Sequence, residues 1–366
     1  MIRNRNAIRL LCLFCLLVYP AINANLEAQT IIGQRNDSVS HSLIRHQLGF
    51  DIRPGYIVST HSFLQGDNMQ QKKIDQSLSF HLKYAFRFSK ESNLGRLFPH
   101  TYQGIGVSYH TFFSPVELGN PVSVYAFQGS RIAQLSPRLS LDYEWNFGAS
   151  FGWKKYDELS NPQNVLIGSK INAYINLGFL LNWQVHKYWK LAAGVDLTHF
   201  SNGNTHYPNG GLNVIGGRIG IVRTLDADEA PGPITPRRLF IKPHVSYDLV
   251  IYGATRKRGL VGDDVSSMIP GLFGVAGINF APMYNFNNYF RAGLSADAQY
   301  DESANLKEYR VGKFYSGDLK FHRPPFRKQF AMGLSLRAEL VMPVFSINVG
   351  VGRNLIYSGD DTKGFY

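Results

Sequence analysis

His199 and Ser201 stand two residues apart in the stretch Leu197-Thr198-His199-Phe200-Ser201-Asn202, and Asn209 and Asn213 follow within the next dozen positions. A serine hydroxyl becomes a nucleophile when an imidazole within hydrogen-bond reach takes its proton, and the imidazole works best when a third group fixes its tautomer. Residues two apart in an extended strand share one face, so this spacing can set base beside nucleophile. Thiolate chemistry has no comparable candidate, because Cys12 and Cys15 both lie in an apolar N-terminal stretch. No metal is expected: Asp263-Asp264 and Asp360-Asp361 are unspaced pairs, and the histidines lack metal-ligand spacing. No glycine-rich loop is placed to cradle a phosphate, so no cofactor is expected.

The elements that must position these residues are strands. Leu191, Ala193, Val195 and Leu197 alternate with polar or small residues, and His199 and Ser201 continue their face. Across the loop, Ile215, Gly217, Ile219 and Ile221 share a face that Asn213 continues. The same period of two runs through 78–88, 138–153 and 171–183, which is the signature of sheets with one apolar and one polar face. Strands of ten or more residues, with apolar rows ending in Trp and Tyr, favour a transmembrane barrel over a soluble sandwich. The fold expected is all-β, a transmembrane antiparallel β-barrel of about 12–14 strands of the outer-membrane type.

Candidate strands fall at 47–58, 78–88, 102–112, 122–134, 138–153, 169–184, 189–201, 212–223, 239–251, 270–283, 287–301, 328–342 and 344–353. Tight turns follow the even-numbered strands and longer loops mostly follow the odd ones, so the first strand starts in the periplasm. Single-chain bacterial barrels have an even strand number. An odd count leaves the tail after Arg353 reading as an extracellular loop, and implies a missing final strand or one false strand. The expected organisation is a signal peptide at 1–24, an N-terminal segment at 25–45 and one barrel over 46–366.

On this phase His199, Ser201 and Asn213 sit on the apolar outward face, near the outer end of one hairpin. A polar cluster there is costly if it meets hydrocarbon, and a working dyad there can attack only something lying in the membrane. From phase alone, a strand that has already left the hydrocarbon and carries ordinary loop residues fits as well. A second cluster, His244, Ser246 and Asp248, lies on the face opposite Leu249 and Ile251 and so reads as part of a polar lumen. Arg256-Lys257-Arg258 falls in an extracellular loop, where it either holds lipid phosphates or is simply solvated.

Composition bounds the rest. The 366 residues are 44% apolar and 17% charged, against about 25% charged in ordinary soluble domains. There are 25 Phe, 20 Tyr and 35 Gly, which suits strands with aromatic girdles. Past residue 24 no apolar run approaches the ~20 residues of a spanning helix. Arg3, Arg5 and Arg9, the apolar run Leu10–Val18 and small residues to Ala24 make a secretory signal. Its removal lowers the net charge of +12 by three arginines, to +9. That balance suits an anionic lipid surface; no nucleic-acid motif is present.

The segment 199–213 resembles the PagL-type outer-membrane lipid A deacylases, or acyloxyacyl hydrolases, whose motif is His-x-Ser-Asn, then Asn, then Glu. Here it reads His199-Phe200-Ser201-Asn202, then Asn209, then Asn213 in place of the glutamate. The resemblance implies that Ser201 is the nucleophile and His199 its general base, with Asn202 and Asn209 shaping the oxyanion site and loop. Asn213 then orients the imidazole but cannot stabilise the imidazolium by charge. Asp196 points to the lumen by phase and is a poor substitute. The family's barrels are also smaller than the one expected here. The function implied is an outer-membrane esterase that removes an ester-linked acyl chain from lipid A of lipopolysaccharide; the alternative is a non-enzymatic porin or lipid-binding barrel.

Overall fold

The structure is a computed structural model that describes residues 44–226, 239–260, 267–269, 271–311, 318–343 and 346–357, apart from positions 91, 204 and 207. The signal region 1–24, most of the segment 25–45, and the acidic pairs Asp263-Asp264 and Asp360-Asp361 lie outside the described residues.

The first eight strands are β1 (Ile44–Ile57), β2 (Gln76–Phe88), β3 (Tyr102–Thr111), β4 (Gly119–Ser136), β5 (Leu139–Trp153), β6 (Ile171–His186), β7 (Trp189–Ser201) and β8 (Leu212–Thr224). Each pairs antiparallel with the next, and β8 returns to pair with β1 from Gln47↔Thr224 to Ile57↔Val214, closing a barrel. Then come β9 (His244–Arg256), the short pair β10 (Gly259–Leu260) and β11 (Ser267–Met268), and β12 (Phe273–Asn285). They are followed by β13 (Phe290–Asp301), the hairpin β14 (Lys307–Val311) and β15 (Asp318–His322), β16 (Phe330–Val341) and β17 (Ser346–Ile356).

All thirteen long strands read from the alternation are present, but they do not form one barrel. The expected single barrel of 12–14 strands over 46–366 divides into a closed barrel of eight and a five-stranded sheet in the order β17-β16-β13-β12-β9. The even count that barrels require is met at the eighth strand. Alternation fixes which face a residue takes; it carries no information on which strand closes the ring.

Side chains inside the barrel make that closure. Arg218 on β8 reaches Asp51 on β1 and Glu144 on β5, both at 2.8 Å. Lys83 pairs with the same two acids at 2.9 and 3.2 Å, and Arg53 joins Asp51 at 3.1 Å to Asp196 at 3.3 Å. Three cations thus balance three anions, all buried, as buried charges require. Glycines of β8 make the room: a Cβ at Gly220 would stand 2.2 Å from Asp51 Oδ1, and one at Gly216 2.7 Å from Asp196 Oδ1. Above the ions an aromatic layer of Phe112, Tyr125, Trp153, Tyr174 and Phe200 fills the outer half. Eight strands leave an interior just wide enough for side chains, and here side chains occupy it.

The outer surface is apolar. Leu82, Ile105, Val124, Val195 and Ile219 are all exposed, forming the lipid-facing belt of a membrane barrel. In the five-stranded sheet one face is equally apolar and exposed, with Leu249, Ile251, Leu294, Leu336 and Val349. The other carries ion pairs, Arg291 to Asp248 and Glu339 and Arg337 to Asp297. The cluster His244, Ser246 and Asp248 falls on this polar face, not in the closed barrel. Asp248 holds Arg291 at 2.9 Å, and Ser246 accepts from Asn285 at 2.8 Å, so the cluster is structural.

Candidate active site

Site residues come from one hairpin of the barrel. On β7 and β8 the inward residues Phe200, Leu212 and Val214 are buried, so His199, Ser201 and Asn213, which alternate with them, point outward. Phe200 lies between the dyad's members in sequence and plugs into the aromatic layer, with ring centroids 5.0 Å from Trp153 and 5.2 Å from His110. It anchors the strand end from behind.

His199 and Asn213 are directly opposite in the β7–β8 register, and His199 Nδ1 is 2.7 Å from Asn213 Oδ1. With the amide oxygen as acceptor, the imidazole donates from Nδ1 and Nε2 keeps its lone pair, the tautomer a general base needs. The Ser201 hydroxyl carries no hydrogen bond among the described residues and stands one pleat, about 7 Å, further along the same face. In apo structures the contact between a base and its nucleophile is often loose and tightens only when substrate is bound. Asp196 points inward onto Arg53 and has no access to His199.

Asn202 and Asn209 hold the loop that follows. Asn202 N–H donates to Asn209 Oδ1 at 2.8 Å, Asn202 Nδ2 donates to the His206 carbonyl at 2.9 Å, and the Asn202 carbonyl accepts from Thr205 Oγ1 at 2.9 Å. A buried asparagine with its amide engaged on both sides fixes the turn leaving Ser201. Two supports were not legible in the sequence. Gly210 and Gly211 donate their N–H groups to the carbonyls of Val165 and Leu166, at 3.1 and 3.2 Å. The 154–170 loop therefore backs the site, and Asn164 stiffens that loop by accepting from Leu166 and Ile167 N–H. Gly211 sits at φ +73, and a Cβ there would come within 3.0 Å of His199 Cε1, so only glycine leaves the ring in place. A paired glycine opening a strand was the available signal.

Below the dyad the outward surface is an apolar track. Leu177, Leu197 and Ile215 lie side by side in the register, then Phe179, Val195 and Gly217. Leu197 and Ile215 are 57% and 52% exposed. At Gly217 a Cβ would meet nothing closer than Pro54 at 4.0 Å, so the outward surface there has room for a side chain.

The basic run divides. Arg256 pairs with Asp301 at 3.0 Å, and Arg258 donates to the Ser303 carbonyl, so both serve their own sheet. Lys257, with Lys155, acts electrostatically on His206 of the loop after Ser201. Partial burial, then the charges of Lys257 and Lys155, push the His206 imidazole below its ordinary pKa. Among the described residues no group of His, Cys, Asp and Glu could hold a metal ion.

Comparison with known families matches residues 79–222 to the family described as "Lipid A 3-O-deacylase (PagL)" and residues 245–366 to "Acyloxyacyl hydrolase, C-terminal domain". The boundary between the two falls between the closed barrel and the second sheet. No curated protein matches the chain. Among solved structures, a Neisserial surface protein (NspA) aligns over 49% of this chain and 97% of its own, at 9% identity and TM-score 0.33. A de novo designed transmembrane β-barrel aligns over 49% and 95%, at 14% identity and TM-score 0.23. The ferric enterobactin receptor of Pseudomonas aeruginosa aligns over 85% and 62%, at 9% and 0.24. These likenesses are weak, and the family matches carry the assignment.

Proposed function

Because the chain belongs to the PagL family of lipid A deacylases, we propose that it is an outer-membrane serine esterase and that Ser201, His199 and Asn213 are its catalytic residues. The protein resides in the outer membrane and its role is in lipid A deacylation, which agrees with its lipid-facing barrel. One observation carries the finer reading: a His199–Asn213 pair at 2.7 Å one pleat from Ser201 on the same face, all three outward at the edge of the apolar belt. Only a substrate embedded in the outer leaflet can present an ester there.

In this mechanism an acyl chain of lipid A lies along the track over Leu197, Ile215 and Gly217. His199 Nε2 takes the Ser201 proton as Oγ attacks the ester carbonyl. The tetrahedral intermediate collapses as His199 returns the proton to the sugar oxygen, leaving an acyl-serine. Water, deprotonated by the same imidazole, then releases a free fatty acid. Asn213 holds the ring's tautomer throughout, and Asn202 and Asn209 hold the loop. The ester is the 3-linked one named for the family. Lys257 and Lys155 supply charge for a lipid phosphate, while Arg256 and Arg258 maintain the segment that presents Lys257.

The filled interior disfavours a porin. A lipid-binding barrel without turnover is favoured by one feature, the neutral Asn213 where the family has an acid. Mass spectrometry of lipid A from cells with and without the protein separates the two: deacylation removes the mass of one acyl chain, and a binding barrel leaves lipid A unchanged.

A further inference from the structure

The five-stranded sheet has a membrane protein's two faces but not its closure. Among the described residues, β9 pairs only with β12 and β17 only with β16. From Leu249 to Arg256 every residue of β9 is exposed, and β17 is exposed from Ser346 to Val351. Hydrocarbon offers no partner for the backbone N–H and C=O groups of an open edge, so spanning sheets must close.

The sheet cannot close alone. Five strands enclose less than the eight-stranded barrel, whose interior only just holds side chains. The polar face here carries Arg291, Arg337, Glu339 and Tyr252, which no five-stranded ring could contain. We infer that β17 pairs with β9 of a second copy of this chain, twice over, so that two sheets close one ten-stranded barrel between protomers.

Three observations select that arrangement. The strand number is odd, so β9 and β17 run in the same direction, and a two-fold axis along the membrane normal sets β17 of one copy parallel to β9 of the other. The faces then match, with ion pairs inside and the Leu249, Leu336 and Val349 rows outside all the way round. Joining β17 to β17 through the same symmetry would set a polar face beside an apolar one and leave both β9 edges open. Finally, the charges of the polar face are already paired within one copy: Arg291 with Asp248 and Glu339, Arg337 with Asp297, Arg256 with Asp301. Closing two copies therefore buries no new unpaired charge.

The inference is independent of the esterase reading. The test uses the full chain purified in detergent. Double variants placing one cysteine on each edge, Leu249→Cys with Val349→Cys and Tyr247→Cys with Ile347→Cys, are oxidised and run on non-reducing gels, with each single variant beside them. Native mass spectrometry of the unmodified protein gives the copy number, and heat-modifiable mobility confirms that the eight-stranded barrel has folded in every variant. A two-copy mass, with cross-linked species formed by a double variant and not by its singles, is expected. A one-copy mass with exchange-protected β9 and β17 amides overturns the inference, since another part of the same chain would then cover the edges. Cross-linking of the single variants to the same extent also overturns it.

Discussion

The oxygen 2.7 Å from His199 Nδ1 belongs to an amide, not a carboxylate. In the proposed mechanism an amide fixes the tautomer but adds no charge to stabilise the imidazolium that would form as Ser201 attacks. Replacing Asn213 with Glu should therefore raise the deacylation rate, about 10-fold for each ~1.4 kcal/mol of transition-state stabilisation gained, read as lipid A product formed per enzyme. A rate that falls would mean the site is tuned to the amide. Ser201→Ala should abolish deacylation while heat-modifiable mobility stays normal, because a serine on the outer surface contributes little packing. His199→Asn should do the same, since the hydroxyl loses its base. Retained turnover in Ser201→Ala would remove Ser201 as nucleophile.

One hairpin, β7–β8, carries the whole candidate site, and its two faces do different work. Inward, Phe200 and Val214 tie it to the aromatic layer; outward, it offers the dyad and the track below. In the proposed mechanism the acyl chain passes Gly217, which has nothing within 4.0 Å but Pro54. Gly217→Phe should fill that space. The expected result is a fall of roughly 10-fold or more in kcat/KM for long-chain lipid A, equivalent to ~1.4 kcal/mol of lost chain contact, with a short-chain soluble ester hydrolysed as before. Equal losses on both substrates would place the acyl chain elsewhere.

At the scale of the molecule, the closed barrel depends on charges that meet only when β8 reaches β1. Arg218 is 1% exposed side chain between two buried acids. Arg218→Met leaves Asp51 and Glu144 with fewer cations than the interior was built for. Breaking such a set by removing one partner costs about 3–5 kcal/mol, so the temperature at which the folded gel band gives way to the unfolded one should drop markedly. An unchanged transition would mean that the interior ions contribute little to closure.

Period-two alternation is a local property of extended chain, and it alone determined the thirteen long strands, the face of each residue and the outward position of His199, Ser201 and Asn213. The histidine–serine spacing was equally local, so the proposed site residues could be named before any fold was known. Closure was not. Whether a strand's last neighbour is β1 or a ninth strand depends on Arg218 finding Asp51 and Glu144 across the lumen, and on Gly216 and Gly220 leaving room for Asp196 and Asp51. Those contacts join residues far apart in the chain and leave no trace in the alternation. The support of the site by Val165 and Leu166 and the wedge at Gly211 were decided in the same way, by which loops the closed barrel gathers at its outer end.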